Sequence, residues 1–192
     1  MKNKVLLVSR LSSAVNAITK LLEENNCEVG SVVSDFQSAI EYANDTVYDI
    51  VVINSPIEDS DGADLAIRLS TDTVCGVILI VAADKAAVAG AKVADHGVVV
   101  VSKPINRMLF RQLLGVVRVA QKRYAGLSKE NERLRSSLEE TKLVNRAKFL
   151  LMQYLALSEE RAHKYIEKQA MDMRVSKLEV AKQIMKTYSS KH

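Results

Sequence analysis

Five short runs rich in Val, Ile and Leu, separated by segments with helical spacing, constrain the fold of this chain most strongly. Runs that are apolar at nearly every position are typical of parallel strands buried on both faces. Parallel strands need a crossover between them, and that crossover is usually a helix. Strands are predicted at residues 4–8, Glu28–Val33, Ile50–Ile53, Val77–Val81 and Gly97–Val101, and helices from Ser12 or Ser13 to about Glu24 and at Phe36–Ala43, Ala63–Leu69 and Ala86–Ala94.

This alternation predicts an α/β domain of flavodoxin-like (βα)5 fold, in which a parallel sheet is covered by helices on both faces. In such sheets, binding and chemistry occur at the carboxyl ends of the strands. We therefore expect a pocket at that edge, formed by Ser9, Arg10, Asn54, Val81, Ala82 and Lys103.

Residues 1 to about 120 resemble the receiver domain of bacterial response regulators. The resemblance rests on the segment YDIVVIN, on Asp61-Gly62 seven and eight positions after Asn54, and on the pair Lys103-Pro104. It implies the chemistry of receivers. An acidic pair after the first strand holds Mg²⁺, an aspartate ending the third strand accepts phosphate, and a Thr or Ser after the fourth senses it.

This chain departs from the receiver pattern at each position that carries that chemistry. Ser9-Arg10 stands for the acidic pair, Asn54 for the acceptor aspartate, and Val81 or Ala82 for the hydroxyl residue. An amide is a poor nucleophile toward phosphoryl groups, and a guanidinium repels Mg²⁺, which prefers carboxylate oxygens. We therefore expect a pseudo-receiver that is not phosphorylated at Asn54.

Two interpretations of the emptied pocket remain open. In one, Arg10 and Lys103 occupy it and, together with Asn54, hold one fixed conformation. In the other, the pocket is a relict without a role. The resemblance to receivers also implies that the peptide bond between Lys103 and Pro104 is cis.

The segment from Asn145 to Tyr188 contains neither glycine nor proline and divides into three predicted helices. Ser158 is a predicted N-cap followed by two glutamates, which suit the positive end of a helix. Ser176 and Glu179 fit a capping box that begins the next helix. Helices this short must pack on one another to be stable. The predicted buried faces are Phe149, Leu150, Met152, Leu155 and Ala156; Ala162, Tyr165, Ile166, Ala170 and Met173; and Leu178, Ala181, Ile184, Met185 and Tyr188.

The surface left outside these faces is basic. Any single lysine is adequately explained as a solubilising residue, but the excess as a group favours a polyanionic partner. Arg161, Lys164 and Lys168 lie along the second helix, and Arg146 and Lys148 near the junction before it are the preferred single contacts. The full set of candidate RNA-binding residues is Arg146, Lys148, Arg161, Lys164, Lys168, Arg174 and Lys177.

The same segment resembles the ANTAR domain, an RNA-binding antiterminator module of bacterial regulators. Glycine is common in that family where this chain has Ala156, a departure expected to alter only the bend between the first two helices. The resemblance implies binding to paired RNA stem-loops in a transcript leader, which prevents a terminator hairpin from forming. The matching residues are Ala147-Lys148, Leu151-Met152, Ser158-Glu159-Glu160, Ala162, Tyr165, Ala170-Met171 and Val180-Ala181.

Between the two halves, a heptad pattern runs without a break from Phe110. Leucine at position d with a lone asparagine, Asn131, at position a favours a parallel, in-register dimer. The first two turns are also expected to pack back on the sheet as the last receiver helix. We expect a pseudo-receiver at residues 1–120, a coiled-coil connector at 108–144 and an ANTAR domain at 145–192. The predicted dimer seam consists of Leu113, Val117, Tyr124, Leu127, Asn131, Leu134 and Leu138.

Charge and composition narrow the classes of function. Residues 1–107 hold 9 Lys+Arg and 14 Asp+Glu, whereas residues 108–192 hold 18 and 9, which suggests that the second half meets a polyanion. Cys27 and Cys75 belong to no metal-ligand pattern, and the three histidines share no motif. We expect no metal, cofactor or enzymatic activity. No apolar run approaches the roughly 18 residues of a membrane span, and the first apolar run is too short for a signal peptide, so a cytoplasmic protein is expected.

These patterns predict a dimeric transcription antitermination regulator that presents two RNA-binding units to two successive hairpins. A DNA-binding response regulator and a scaffold whose basic face meets an acidic protein are the alternatives. Salt dependence and the choice of polyanion would separate the three. Tyr165 is a candidate for stacking on an unpaired RNA base, although its position on an apolar helix face favours packing in the core.

Overall fold

The computed structural model describes residues 2–189 and divides into two compact units, one up to Ser128 and one from Lys129 onward. None of the described helices is long and apolar enough to cross a membrane. The elements in chain order are β1 Asn3–Val8, α1 Ser12–Glu23, β2 Cys27–Val33, α2 Phe36–Asp45, β3 Ile50–Asn54, α3 Ala63–Asp72, β4 Gly76–Ala82, α4 Ala86–Val93, β5 Val99–Lys103, α5 Arg107–Leu155, α6 Glu159–Met173 and α7 Lys177–Ser189.

The first unit contains the predicted parallel sheet, with strand order β2-β1-β3-β4-β5. This is the flavodoxin-like order for a doubly wound sheet. In the register, Val8 lies opposite Ile53, Asn54 opposite Ile80, and Ala82 opposite Lys103. The carboxyl ends of four strands therefore meet at one edge, as the sequence predicted.

Each strand contributes alternate residues to two separate cores, one on either face of the sheet. Leu6 and Val8 face one core and Val5 and Leu7 face the other. The first core is closed by residues of α2, α3 and α4, and the second by residues of α1 and α5. Burial on both faces explains why these strands are continuously apolar in the sequence.

The beginning of α5 belongs to the second core. Phe110, Leu114 and Val117 are buried there, and Leu113 packs against the same cluster. Val117 lies so close to Gly76 that a Cβ at residue 76 would collide with its side chain. The prediction that Leu113 and Val117 contribute to a dimer seam is therefore wrong for these two residues, because their side chains already pack on the sheet.

In the second unit, the end of α5 packs with α6 and α7 around small side chains. Ser158 Oγ accepts a hydrogen bond from the amide of Arg161 at 3.3 Å, as expected of an N-cap. The predicted capping box is present, since Glu179 N donates to Ser176 Oγ at 3.2 Å and Ser176 N donates to Glu179 Oε2 at 3.1 Å. The core consists of Ala147, Leu151, Ala162, Ile166, Ala170, Val180, Ala181 and Ile184.

Some residues predicted to be buried are exposed, and some of them lie next to buried residues in the sequence. The core stripes follow residues four apart, such as Ala147 with Leu151 and Ala162 with Ile166. Alanines let the helices approach closely, so the stripe of tight contact is narrow and larger neighbouring side chains remain outside it. Residues predicted to be buried that are exposed instead are Phe149, Met152, Leu155, Ala156, Tyr165 and Met173.

Two backbone features bear on the predictions. The peptide bond between Lys103 and Pro104 is cis, which confirms the prediction, and the bond between Ser55 and Pro56 is cis as well. The strand predicted at Gly97–Val101 begins two residues later, at Val99, because Gly97 adopts a left-handed conformation with a φ of 66° that strands do not use. It ends two residues later, at Lys103, which pairs with Ala82 of β4.

Candidate receiver pocket and nucleic-acid interface

Asn54 lies at the end of β3, at the edge where the strand ends meet. Its side chain is buried, and its Nδ2 donates a hydrogen bond to the hydroxyl of Ser9, also buried, at 2.9 Å. Two of the three residues that stand for carboxylates of the receiver pattern therefore bond to each other. This contact satisfies both polar groups away from water, which would otherwise carry a desolvation cost.

Lys103 is held separately from this pair. Its Nζ donates to the backbone carbonyl of Ser55 at 2.6 Å. Desolvation by burial, and secondarily the positive charge of Arg10, lower the pKa of Lys103. The Arg10 side chain itself is exposed. Two cations therefore lie close enough to repel one another at this edge, which disfavours a further cation there.

The remaining pocket positions carry no metal-binding chemistry. Val81 is buried, and Ala82 ends β4 without a hydroxyl group. Within residues 2–189, no three His, Cys, Asp or Glu side chains are arranged to hold a metal ion. The structure brings Ser9 and Asn54 into contact and keeps Lys103 and Arg10 nearby, so the predicted pocket consists of amide, hydroxyl and cationic groups.

In the second unit, three of the seven predicted RNA-binding cations form ion pairs within the chain. Lys148 Nζ lies 2.9 Å from Glu159, Lys164 Nζ 2.7 Å from Glu160, and Lys177 Nζ 2.6 Å from Glu167. The hydrogen bonds from Lys148 and Lys177 lower the pKa values of Glu159 and Glu167. The side chain of Lys148 is only 15% exposed. Lys148 is therefore a poorer candidate for phosphate contact than the sequence suggested.

The other four predicted cations have exposed side chains. Among the described residues, no ion pair engages Arg146, Arg161, Lys168 or Arg174. Arg174 ends α6 as its C-cap in a left-handed conformation, a position where glycine is the usual residue. These four side chains can meet phosphates without first breaking an internal contact.

The second unit also has exposed aromatic rings, at two positions that the helical pattern assigned to buried faces. Tyr165 is 40% exposed on α6, and Phe149 is exposed near the end of α5. Two other rings, Tyr154 and Tyr188, stack on each other with centroids 5.1 Å apart. In the sequence, the feature that indicates an exposed Tyr165 is its position between Arg161 and Lys168, four and three residues away, on one face of a helix.

The predicted dimer seam is exposed from Tyr124 onward. Leu127 is 70% exposed, and Leu134, Leu138 and Asn131 are exposed as well. Leucines repeated on one side of a helix are costly to leave in water, so this face fits an unfilled helix–helix interface. Tyr124 also lines a cavity of about 600 Å³ at the opposite end of β4 and β5 from the receiver pocket.

Comparisons with known proteins agree with this division of the chain. Residues 5–114 match the response regulator receiver domain, and residues 132–185 match the ANTAR domain. The transcriptional regulatory protein PdtaR of Mycobacterium tuberculosis is 26% identical over 174 residues, covering 88% of this chain and 83% of that protein. The nitrate regulatory protein of Klebsiella oxytoca is 36% identical over 77 residues, which are 40% of this chain and 19% of that protein.

Solved structures resemble the first unit in fold. The signal receiver domain of an HD domain-containing protein from Pseudomonas fluorescens Pf-5 superposes with a TM-score of 0.54 at 20% identity, over 67% of this chain and 93% of that one. NtrX from Brucella abortus gives a TM-score of 0.58 at 16% identity, over 67% and 29% of the two chains. The receiver topology and the two family matches establish that this chain belongs to the response regulators, with a receiver domain followed by an ANTAR domain.

Proposed function

We propose that this chain is a transcription antitermination regulator whose carboxyl-terminal unit binds paired RNA stem-loops in leader transcripts. The observation that carries the proposal is the set of four exposed cations outside any internal ion pair on the ANTAR unit: Arg146, Arg161, Lys168 and Arg174. Exposed arginines and lysines provide most of the affinity for a phosphate backbone. RNA hairpins present such phosphates in their stems and in loops whose bases are unpaired.

Within this proposal, residues 1–120 are the control module, 108–144 the connector and 145–192 the RNA-binding domain. The control module acts without phosphorylation at Asn54. The hydrogen bond between Asn54 and Ser9 supports this, as do the cations at the pocket, because phosphoryl transfer in receivers needs a carboxylate nucleophile and Mg²⁺. We assign the chain no catalytic activity, and a regulator of nascent transcripts acts in the bacterial cytoplasm.

We further propose that the protein works as a dimer joined through a parallel coiled coil of α5. The exposed leucines Leu127, Leu134 and Leu138 form the seam, and Asn131 sets its register. Two RNA-binding units on one dimer match two successive hairpins. Tethering makes the second binding event intramolecular and raises the overall affinity.

The test is a binding titration of the purified protein with a tandem-hairpin leader RNA. Scrambled hairpins and duplex DNA are titrated beside it at two salt concentrations. Selective, salt-sensitive binding of the tandem hairpins supports the proposal. Preference for duplex DNA would instead indicate a DNA-binding response regulator, and equal weak binding to all three would leave the basic face as a general surface.

A matched pair of variants identifies the interface in the same titration. Lys168→Ala removes an exposed cation outside any internal ion pair, whereas Lys164→Ala removes a cation of the same helix that is paired with Glu160. We expect Lys168→Ala to weaken binding on all hairpin sequences and to lower the salt slope by about one unit. Lys164→Ala should have the smaller effect, because its phosphate contact would require giving up the ion pair.

A further inference from the structure

Tyr165 is a large aromatic side chain outside the core of the second unit. The core stripe of α6 consists of Ala162, Ile166 and Ala170, and Tyr165 lies one position to its side, 40% exposed. Tyr154 and Tyr188 of the same unit differ from it, since their rings stack on each other. The phenol ring of Tyr165 therefore presents apolar area to solvent without an aromatic partner among the described residues.

Two cations flank this ring along the helix. Arg161 lies four residues before Tyr165 and Lys168 three residues after it, so the three side chains share one face of α6. Neither cation takes part in an ion pair within residues 2–189, whereas Lys164 of the same helix and Lys177 of α7 do. The face thus alternates positive charge, aromatic ring and positive charge.

We propose that Tyr165 is the platform on which an unpaired base of the RNA loop stacks, with Arg161 and Lys168 holding the phosphates on either side. This inference rests on the proposed function and adds that the ANTAR unit recognises an unpaired base of the RNA loop. Every base has a π-face that stacks on an aromatic ring, and bases are free to do so only where they are unpaired. The flanking cations match the negative charges that precede and follow a base in the chain.

Phe149 is the competing ring and fits less well. It is more exposed than Tyr165, but of the positions three or four residues away only Arg146 carries a charge, since Met152 and Gln153 occupy the following turn. One cation fixes one phosphate and leaves the stacked nucleotide free to turn. The site with a cation on both sides is the better nucleotide subsite.

The chain contains no tryptophan, which makes a site-specific optical test available. Tyr165→Trp places a single indole at the proposed platform, and Tyr154→Trp places one at a position of similar exposure in the same unit, 37%. Each protein is titrated with a hairpin and with the same hairpin carrying abasic loop nucleotides. We expect the fluorescence of the Tyr165→Trp protein to be quenched by the intact loop only, and that of Tyr154→Trp to change equally little with both.

Affinity provides an independent readout. Tyr165→Phe should keep wild-type affinity, whereas Tyr165→Leu should lose about tenfold to a hundredfold on the intact loop and nothing on the abasic loop. Circular dichroism and melting temperature establish that both variants are folded. Unchanged affinity of Tyr165→Leu on the intact loop, with quenching equal on both RNAs, would overturn the platform alone. Failure of the wild-type protein to prefer hairpins over scrambled RNA would overturn the proposed function itself.

Discussion

At the scale of single residues, the receiver pocket differs from a phosphorylatable one by more than its acceptor. Asn54 donates a hydrogen bond to Ser9, and two cations, Arg10 and Lys103, lie at the same edge of the sheet and interact with each other. Replacing only the amide would create a carboxylate without a metal ion to neutralise the incoming phosphoryl group. Since that group carries several negative charges, transfer needs the metal as well as the nucleophile.

We therefore predict that neither the wild-type protein nor Asn54→Asp becomes phosphorylated by a small phosphodonor in the presence of Mg²⁺. The triple variant Ser9→Asp, Arg10→Asp, Asn54→Asp restores a three-carboxylate site and should accept phosphate. Phosphate-affinity electrophoresis measures the product, with circular dichroism as the control for folding. Phosphorylation of Asn54→Asp to the level of the triple variant would show that Ser9 and Arg10 do not limit the reaction.

Two non-glycine residues of the second unit adopt left-handed backbone conformations, Ala156 with a φ of 49° and Arg174 with a φ of 54°. This conformation destabilises a residue that has a Cβ by roughly 1–2 kcal/mol, whereas glycine adopts it with little penalty. Ala156 stands where the ANTAR resemblance implies glycine, so its departure affects backbone strain as well as the bend. Arg174 retains a charged side chain at a strained cap, which is consistent with a role for its guanidinium.

The two positions give a matched prediction. Both Ala156→Gly and Arg174→Gly should stabilise the unit, each by about 0.5–1 kcal/mol once the entropy of glycine in the unfolded chain is counted. Only Arg174→Gly should weaken hairpin binding, since it alone removes a cation. Urea unfolding and RNA titration measure the two effects. A stabilised Arg174→Gly protein that binds hairpins as tightly as Ala156→Gly would remove Arg174 from the interface.

The sequence placed Ser9 and Asn54 at one edge of the sheet, where they form a hydrogen bond, but did not show which basic residues of the second unit remain available. Lys164 and Glu160 are four apart on one helix, and their pairing is readable from spacing. Lys148 with Glu159 and Lys177 with Glu167 join different helices, so their pairing depends on tertiary packing. The sequence favoured core packing for Tyr165 because it lies next to Ile166 on the apolar side of α6. Helical spacing alone does not show that only the stripe of Ala162, Ile166 and Ala170 is buried.

At the scale of elements, two parts of α5 differ in how much of their surface is buried. Up to Val117 it is a receiver helix with a buried face, whereas every residue from Lys129 to Lys142 is exposed. Helical propensity stabilises such a stretch only weakly, and most helices depend on a packed apolar face. The exposed leucines around Asn131 supply that face if a second copy covers them.

Asn131→Leu tests this interpretation of α5. A buried asparagine at position a favours a dimer at a cost in stability, so its replacement should raise the melting temperature and broaden the stoichiometry beyond two chains. Lys129→Leu adds the same side chain on the outer side of the proposed seam and should change neither. Sedimentation and thermal unfolding are the measurements. A strict dimer of unchanged stability in Asn131→Leu would contradict the pairing scheme.

The elements themselves were predicted almost completely, because burial on both faces leaves a continuous apolar signal in each strand. The largest error, at β5, comes from Gly97, whose left-handed backbone excludes it from a strand that its neighbours favour. The predicted dimer seam began too early in α5. A heptad pattern marks apolar residues without telling whether a sheet or another helix covers them, and Leu113 and Val117 pack on the sheet.

At the scale of the whole molecule, acidic and basic residues are concentrated in different halves of the chain. The first 107 residues hold an excess of acidic groups and the remaining residues twice as many basic as acidic groups, 18 against 9. An acidic control domain does not compete with the basic unit for RNA, because it repels phosphate. The exposed seam, from Tyr124 to Leu138, precedes the candidate RNA-binding residues, which begin at Arg146, so dimerisation through the seam would double the number of proposed RNA-binding units without using those residues.

Under the proposed function, affinity for tandem hairpins is a property of the dimer. Leu134→Ser/Leu138→Ser removes apolar groups from the seam without changing any charge, and should yield monomers in sedimentation. Such monomers should bind a single hairpin as the wild-type protein does, because the RNA-binding residues are untouched. The preference of the dimer for two linked hairpins over one, expected to be about a hundredfold or more from effective concentration, should disappear. A monomeric variant that keeps this preference would place both hairpins on one chain and contradict the dimeric mechanism.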